Sequence, residues 1–179
     1  MVNDIERKFY SEEELSAIVK RLGAEISKDY AGKDLVLVSI LKGSVIFMAD
    51  LMRQITIPCV IDFMCVSSYG NATENKTGAV KIIKDLDEKI EGKDVLLVED
   101  ILDSGRTLNY VVNMLQTRNP NSIKICTLLD KPARRVVDLK SDYSGVEVED
   151  AFVVGYGLDY AEKYRNLPFI GVLKEEIYK

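Results

Sequence analysis

The chain has 179 residues, enough for one domain with at most a small appendage, and its apolar fraction of 47% suffices for one core. Its 24 basic and 29 acidic residues give a net charge of −5, which argues against a protein built mainly to grip nucleic acid through phosphates. Histidine is absent, which excludes Ser-His-Asp and Cys-His catalysis and leaves proton transfer to Asp, Glu, Lys, Tyr or water.

Ser11 and Glu14 form a capping-box pattern ahead of Leu15, Ile18, Val19 and Leu22, which predicts a helix to about Tyr30. Residues 35–40 are a short apolar run, hence a buried strand. Leu41-Lys42-Gly43-Ser44 ends it, and Val45, Phe47, Met48, Leu51 and Met52 predict the next helix. Residues 59–66 form another strand. The polar, glycine-punctuated run 67–78 follows, and 79–83 returns as a strand, so that run is a hairpin loop or a lid.

Residues 95–98 are four apolar residues in a row, a strand buried on both faces, with Glu99 and Asp100 placed where it should end. A loop of small and polar residues leads into a helix marked by Leu108, Val111, Val112 and Leu115. Strand, small-residue turn and helix N-terminus together make an anion site. Residues 122–129 are the next strand, with Asp130-Lys131-Pro132 at its end. Residues 146–148 are a short strand or a connection. Residues 151–159 read as an apolar strand ending in glycines and an acid, Arg165 follows in a polar segment, and 169–173 close the chain as a strand.

Strands alternating with helices predict a mostly parallel α/β sheet, with its ligand at the carboxyl ends of the strands. Residues from Lys131 onward, with both chain ends, are expected to form a small hood over one edge. Cys59, Cys65 and Cys126 lack metal-type spacing and suit reduced thiols in a cytoplasmic protein. The charged stretch from Met1 to Tyr10 is unlike a signal peptide, and no apolar run approaches the ~20 residues that span a bilayer, so no membrane partner is expected.

The stretch Val98-Glu99-Asp100-Ile101-Leu102-Asp103-Ser104-Gly105-Arg106-Thr107 resembles the phosphoribosyl-pyrophosphate motif of the type I phosphoribosyltransferases. Leu41-Lys42-Gly43 resembles that family's pyrophosphate loop, which can hold a non-proline cis peptide before the lysine. Ser68-Tyr69 lies where the 6-oxopurine branch carries a mobile catalytic loop. Lys131, Phe152 through Tyr160, and Arg165 resemble its purine-binding hood. The likeness runs from about Ser39 to the C-terminus, with the motifs in the family's order.

The resemblance implies a single phosphoribosyltransferase domain over 1–179 with a purine-binding hood. It implies Mg²⁺-dependent transfer of phosphoribose from phosphoribosyl pyrophosphate to hypoxanthine or guanine. Asp103, Ser104, Gly105, Arg106 and Thr107 would cradle the 5′-phosphate, while Glu99 and Asp100 would hold the ribose hydroxyls, directly or through the metal. Lys42, Gly43 and Arg165 would meet the diphosphate, and Ser68 and Tyr69 would close over it. Asp103 would be the general base on the purine. Lys131 would donate to the 6-oxo group, Phe152 would stack on the ring, and the Val153 backbone would read its edge. Asp159 would bind a second Mg²⁺ or a purine amino group. The family also suggests a homodimer or homotetramer.

Blander readings stand beside these. Glu99-Asp100 could be a solvated acidic turn, Asp103 a helix cap, Lys42 an exposed helix-start lysine, Arg165 a surface arginine and Phe152 a core residue. At the level of function the alternatives are a xanthine-preferring enzyme, or a regulator that senses phosphoribosyl pyrophosphate and binds nucleic acid. The second needs a basic face, and the only notable basic cluster is Arg134-Arg135 beside Lys131.

Overall fold

The computed structural model describes residues 1–68 and 80–179. In chain order they form β1 (Ile5–Tyr10), α1 (Glu12–Asp29), β2 (Leu35–Leu41), α2 (Val45–Gln54), β3 (Cys59–Ser68), β4 (Val80–Lys84), β5 (Asp94–Leu102), α3 (Arg106–Gln116), β6 (Ser122–Asp130), β7 (Tyr143–Glu147), β8 (Val153–Val154), β9 (Ile170–Leu173) and α4 (Glu175–Tyr178). The capping box of α1 is complete. Ser11 Oγ accepts from the Glu14 amide at 3.2 Å, and the Glu14 carboxylate accepts from the Ser11 amide at 2.8 Å.

The main sheet has six strands in the order β4-β3-β2-β5-β6-β7, with β4 antiparallel to β3 and the other pairs parallel. Its apolar runs are buried on both faces, as a parallel sheet covered by helices requires. Leu35, Leu37, Leu96 and Val98 pack with α1 and α2, whereas Val36, Val38, Val95 and Leu97 pack with Leu108, Val111 and Leu115 of α3. The chain leaves β2 through α2 towards β3 on one side. It leaves β5 through α3 towards β6 on the other. The strand order therefore switches between β2 and β5, and a crevice opens at their carboxyl ends.

Above that edge lies an antiparallel three-stranded sheet, β1-β9-β8, which brings the two ends of the chain together. Four details differ from the sequence reading. β5 continues through Glu99 and Asp100 to Leu102, because β6 goes on pairing with it after β2 has stopped. The expected strand 151–159 is reduced to Val153–Val154. Gly155, Tyr156 and Gly157 all take positive φ (98°, 51° and 100°), a backbone no strand can continue. Tyr143–Glu147 joins the main sheet beside β6 and so is no part of the hood. β1 and α4 were not anticipated, since Glu6, Arg7 and Lys8 hide the strand pattern and α4 is a single turn.

Candidate active site

The β5-to-α3 junction makes a phosphate-sized hollow. Gly105 sits at a φ of 79°, and a Cβ there would come within 2.8 Å of Val137 Cγ2, so glycine is needed for both conformation and space. α3 starts without a side-chain cap, which leaves first-turn N–H groups available at the positive end of the helix. The Arg106 amide donates to Ser104 Oγ at 3.4 Å. The hollow, about 120 Å³, is lined by Glu99, Ile101, Asp103, Ser104, Gly105 and Thr107. The Arg106 side chain is exposed and outside this lining.

The β2-to-α2 junction closes on β5 from the other side. The Leu41–Lys42 peptide is cis. Ser44 Oγ is fully buried, donates to the Ile40 carbonyl at 2.5 Å and lies 2.7 Å from Ser39 Oγ, which ties this loop to β2. Gly43 packs directly on Asp100, and the bend at Gly157 rests on the Gly43 carbonyl. Arg165 Nη1 donates to the Gly157 carbonyl at 2.8 Å. Arg165 Nη2 pairs with Asp159 at 2.9 Å and Glu162 at 3.3 Å, and Lys42 Nζ pairs with Glu162 at 2.8 Å. Lys42, Gly43, Asp100, Asp159 and Arg165 are thus gathered in one place from three segments: the β2–α2 loop, β5 and the stretch between β8 and β9.

The adjacent acids are electrostatically uncomfortable. Burial pushes Asp100 up to about 6, Asp159 adds to the shift, and the Ile101 amide and the Arg165 guanidinium oppose it. Glu99 stands well above the usual carboxylate range, chiefly through burial and then through the charge of Asp100. Acids held in this state gain from any cation placed against them.

A second cleft, about 460 Å³, is lined by Ile101, Asp103, Lys131, Phe152, Val153 and Leu158 among others. Lys131 is only 6% exposed, and its Nζ donates to the Ala151 carbonyl at 2.9 Å and lies 3.7 Å from Asp150. Phe152 is 39% exposed, so it is no core residue. Asp103 and Ile101 line both this cleft and the phosphate-sized hollow. Asp103 Oδ1 is buried and has no hydrogen-bond partner among the described residues. Asp159 does not line the cleft. Both of its oxygens are engaged, one by Arg165 and one by the Glu162 amide. β3 ends at Ser68, and Tyr69 lies outside the described residues.

Sequence reasoning missed three supports. Arg135, seen only as part of a basic pair, donates to the Asp103 carbonyl at 2.9 Å and the Leu102 carbonyl at 3.1 Å, and also reaches Asp130 and the Leu139 carbonyl. It pins the Asp103 loop from beneath and is unavailable to nucleic acid. Ser39 and Ser44 anchor the Lys42 loop, and Glu162 bridges Lys42 and Arg165. No local pattern announces any of them, since each acts across 5 to 120 positions of chain.

Residues 8–161 match the model of the phosphoribosyl transferase domain. The hypoxanthine-guanine phosphoribosyltransferase of Bacillus subtilis (strain 168) is 55% identical over 179 residues, which is 100% of this chain and 99% of that protein. The chain belongs to the hypoxanthine-guanine phosphoribosyltransferase family. Its counterpart in Staphylococcus aureus (strain Mu50) is 55% identical over 178 residues, covering 99% of each. The crystal structure of a hypoxanthine phosphoribosyltransferase from Staphylococcus aureus matches with a TM-score of 0.96 at 55% identity, covering 100% of this chain and 97% of that one. A hypoxanthine-guanine phosphoribosyltransferase from Bacillus anthracis matches with a TM-score of 0.88 at 46% identity, over 95% and 98% of the two chains. The protein is therefore a transferase of purine salvage with the type I phosphoribosyltransferase fold. Among the described residues no helix is long and apolar enough to cross a membrane.

Proposed function

We propose that this chain transfers phosphoribose from phosphoribosyl pyrophosphate to a ring nitrogen of hypoxanthine or guanine, giving IMP or GMP and pyrophosphate. The observation that carries the proposal is the position of Asp103. Its buried, unpartnered Oδ1 stands at the seam of the phosphate-sized hollow and the Lys131–Phe152 cleft. A phosphorylated sugar in one and a base in the other would meet at this carboxylate.

In this reading Ser104, Gly105, Arg106 and Thr107 hold the 5′-phosphate through backbone amides and hydroxyls. Glu99 and Asp100 hold the ribose hydroxyls. Lys42, the Gly43 backbone and Arg165 receive the diphosphate as the C1′–O bond breaks and charge builds on the leaving group. The C1′–N bond forms on the opposite side, and Asp103 takes the proton that the ring nitrogen loses. Lys131 donates to the 6-oxo group and so disfavours adenine, whose amino group is itself a donor. Phe152 supplies the stacking surface, and the Val153 backbone supplies edge contacts. By the family resemblance, Ser68 and Tyr69 would close over the diphosphate and exclude water from the reacting carbon.

Among the described residues no three acidic, cysteine or histidine groups are placed to hold a metal by themselves. Mg²⁺ is commonly held by one or two carboxylates together with substrate phosphates and needs no such set of protein ligands. Glu99 and Asp100 are the oxygen donors that fit it, and Asp159 could join them only in competition with Arg165. When bound, the ion neutralises diphosphate charge. A cytoplasmic homodimer or homotetramer completes the proposal.

The test incubates the protein with phosphoribosyl pyrophosphate, Mg²⁺ and each of hypoxanthine, guanine, xanthine and adenine, and follows pyrophosphate release. Turnover with hypoxanthine or guanine is expected. Absence of turnover with every base would sink the enzyme reading, and xanthine as the best substrate would correct the base assignment.

A further inference from the structure

We infer that Tyr178, the residue before the last, is a positioning residue for the base: it backs the Phe152 ring and fixes the plane on which a purine stacks. This rests on the function proposed above and adds a residue that neither the motifs nor the phosphate chemistry point to.

The Phe152 and Tyr178 rings are stacked, with centroids 4.7 Å apart and planes 19° apart. Tyr160 meets the Phe152 ring edge-on, at 5.6 Å and 87°. An aromatic ring has two faces. Tyr178 covers one and Tyr160 meets the rim, and Phe152 still stays 39% exposed; in this proposal the purine takes the face opposite Tyr178. Phe152 and Tyr178 both line the cleft that holds Lys131 and Asp103.

The placement of Tyr178 is built into the hood. The Lys174 amide donates to the Asp4 carbonyl at 3.0 Å, and the Leu173 amide donates to the Phe152 carbonyl at 2.9 Å, so the end of β9 is tied both to the residue just ahead of β1 and to Phe152 itself. Ile177 and Tyr178 pack on Val154, Leu167 and Leu173. α4 is too short to persist alone, and this packing holds it in place. A half-exposed Phe on a connecting segment would otherwise sample several ring orientations. Each side chain that must be ordered on binding weakens affinity, and a ring already fixed avoids that loss.

The test compares steady-state kinetics of the wild type with Tyr178→Phe, Tyr178→Leu and Tyr178→Ala, titrating hypoxanthine and phosphoribosyl pyrophosphate separately. The contact is made by the ring and not the hydroxyl, so Tyr178→Phe is expected to behave as wild type. Tyr178→Ala is expected to raise KM for the purine about 3- to 10-fold, the scale of one lost aromatic pair. KM for phosphoribosyl pyrophosphate and kcat should stay within about 2-fold. Tyr178→Leu retains apolar bulk for the hood and should raise purine KM in the same way without lowering the melting temperature. It decides the matter where the alanine variant folds poorly.

An unchanged or lowered purine KM in the leucine variant overturns the inference. So does an equal rise for both substrates, or a loss in Tyr178→Phe matching that in Tyr178→Ala. A wild type that turns over no base overturns the parent reading, and this inference with it. An active wild type with insensitive variants removes only the role of Tyr178.

Discussion

The carboxylate of Asp100 occupies the space that a side chain on Gly43 would need. A Cβ at Gly43 would stand 1.9 Å from Asp100 Oδ2. The loop after β2 and the adjacent parallel strand β5 are therefore in contact through bare backbone and a carboxylate, with no methyl group of slack. Gly43→Ala must push Asp100 or the Lys42 loop aside by about an ångström. Displacements of that size at reacting groups cost about 10²-fold. kcat/KM for phosphoribosyl pyrophosphate is expected to fall by about that factor. Steady-state kinetics check it, and near-normal activity would show that the contact is dispensable.

Asp103→Asn keeps the shape of the side chain but cannot accept the purine proton. Loss of a positioned general base costs typically about 10²–10⁴-fold. The fall is expected in kcat, with KM for phosphoribosyl pyrophosphate changed less than about 3-fold. Equal losses in both parameters would assign Asp103 to loop structure, which Arg135 already holds through the Asp103 carbonyl.

Much of this site was legible because it lies on contiguous motifs at strand ends. The run from Val98 to Thr107 supplies the hollow, both acids and Asp103 from ten successive residues, and parallel α/β geometry does the rest by bringing strand ends to one edge. Lys131 was found for the same reason. What stayed hidden depends on pairings distant in sequence. β1 is too polar to announce itself, because it is stabilised by β9 and not by its own pattern. The segment after Val154 looked like a strand because its residues are apolar, yet Gly155 and Gly157 are there to let backbone approach Phe169 and Gly43. Arg135 and Glu162 are ordinary surface residue types whose roles exist only once the loops are assembled.

The acid pair should cost the metal-free protein stability at neutral pH. Asp100 titrates near 6 and Glu99 above the usual range, so the native state binds these protons more tightly than the unfolded chain, where carboxylates titrate near 4. Between those values the native state holds more protons, and stability falls as pH rises through that window. Replacing both acids, as Glu99→Gln with Asp100→Asn, removes the penalty. The double variant is expected to be more stable than wild type at pH 7 by about 1–2 kcal/mol, allowing for the partial exposure of the pair. The gain should vanish as pH approaches 4, while turnover is lost throughout. Denaturant unfolding at pH 7 and pH 4 in the presence of a chelator checks it, and a double variant no more stable than wild type at pH 7 would contradict it.

Glu162 bridges the two cations assigned to the diphosphate, 2.8 Å from Lys42 Nζ and 3.3 Å from Arg165 Nη2. Its hydrogen bond to Lys42, and then that charge, hold its carboxyl below the ordinary value, so it is an anion at any working pH. A diphosphate arriving at Lys42 and Arg165 must displace it. Exposed pairs of this kind are weak and break readily, so the displacement should be a modest handicap and not a barrier. Glu162→Gln removes the competing charge while Asp159 still orients Arg165. The expected result is a KM for phosphoribosyl pyrophosphate lowered about 2- to 3-fold. Inhibition by added pyrophosphate should strengthen by a similar factor, because the same two cations receive the product. Product-inhibition kinetics separate the possibilities. If pyrophosphate inhibition is unchanged, Glu162 and the diphosphate do not share these partners; if it weakens, Glu162 is needed to present them.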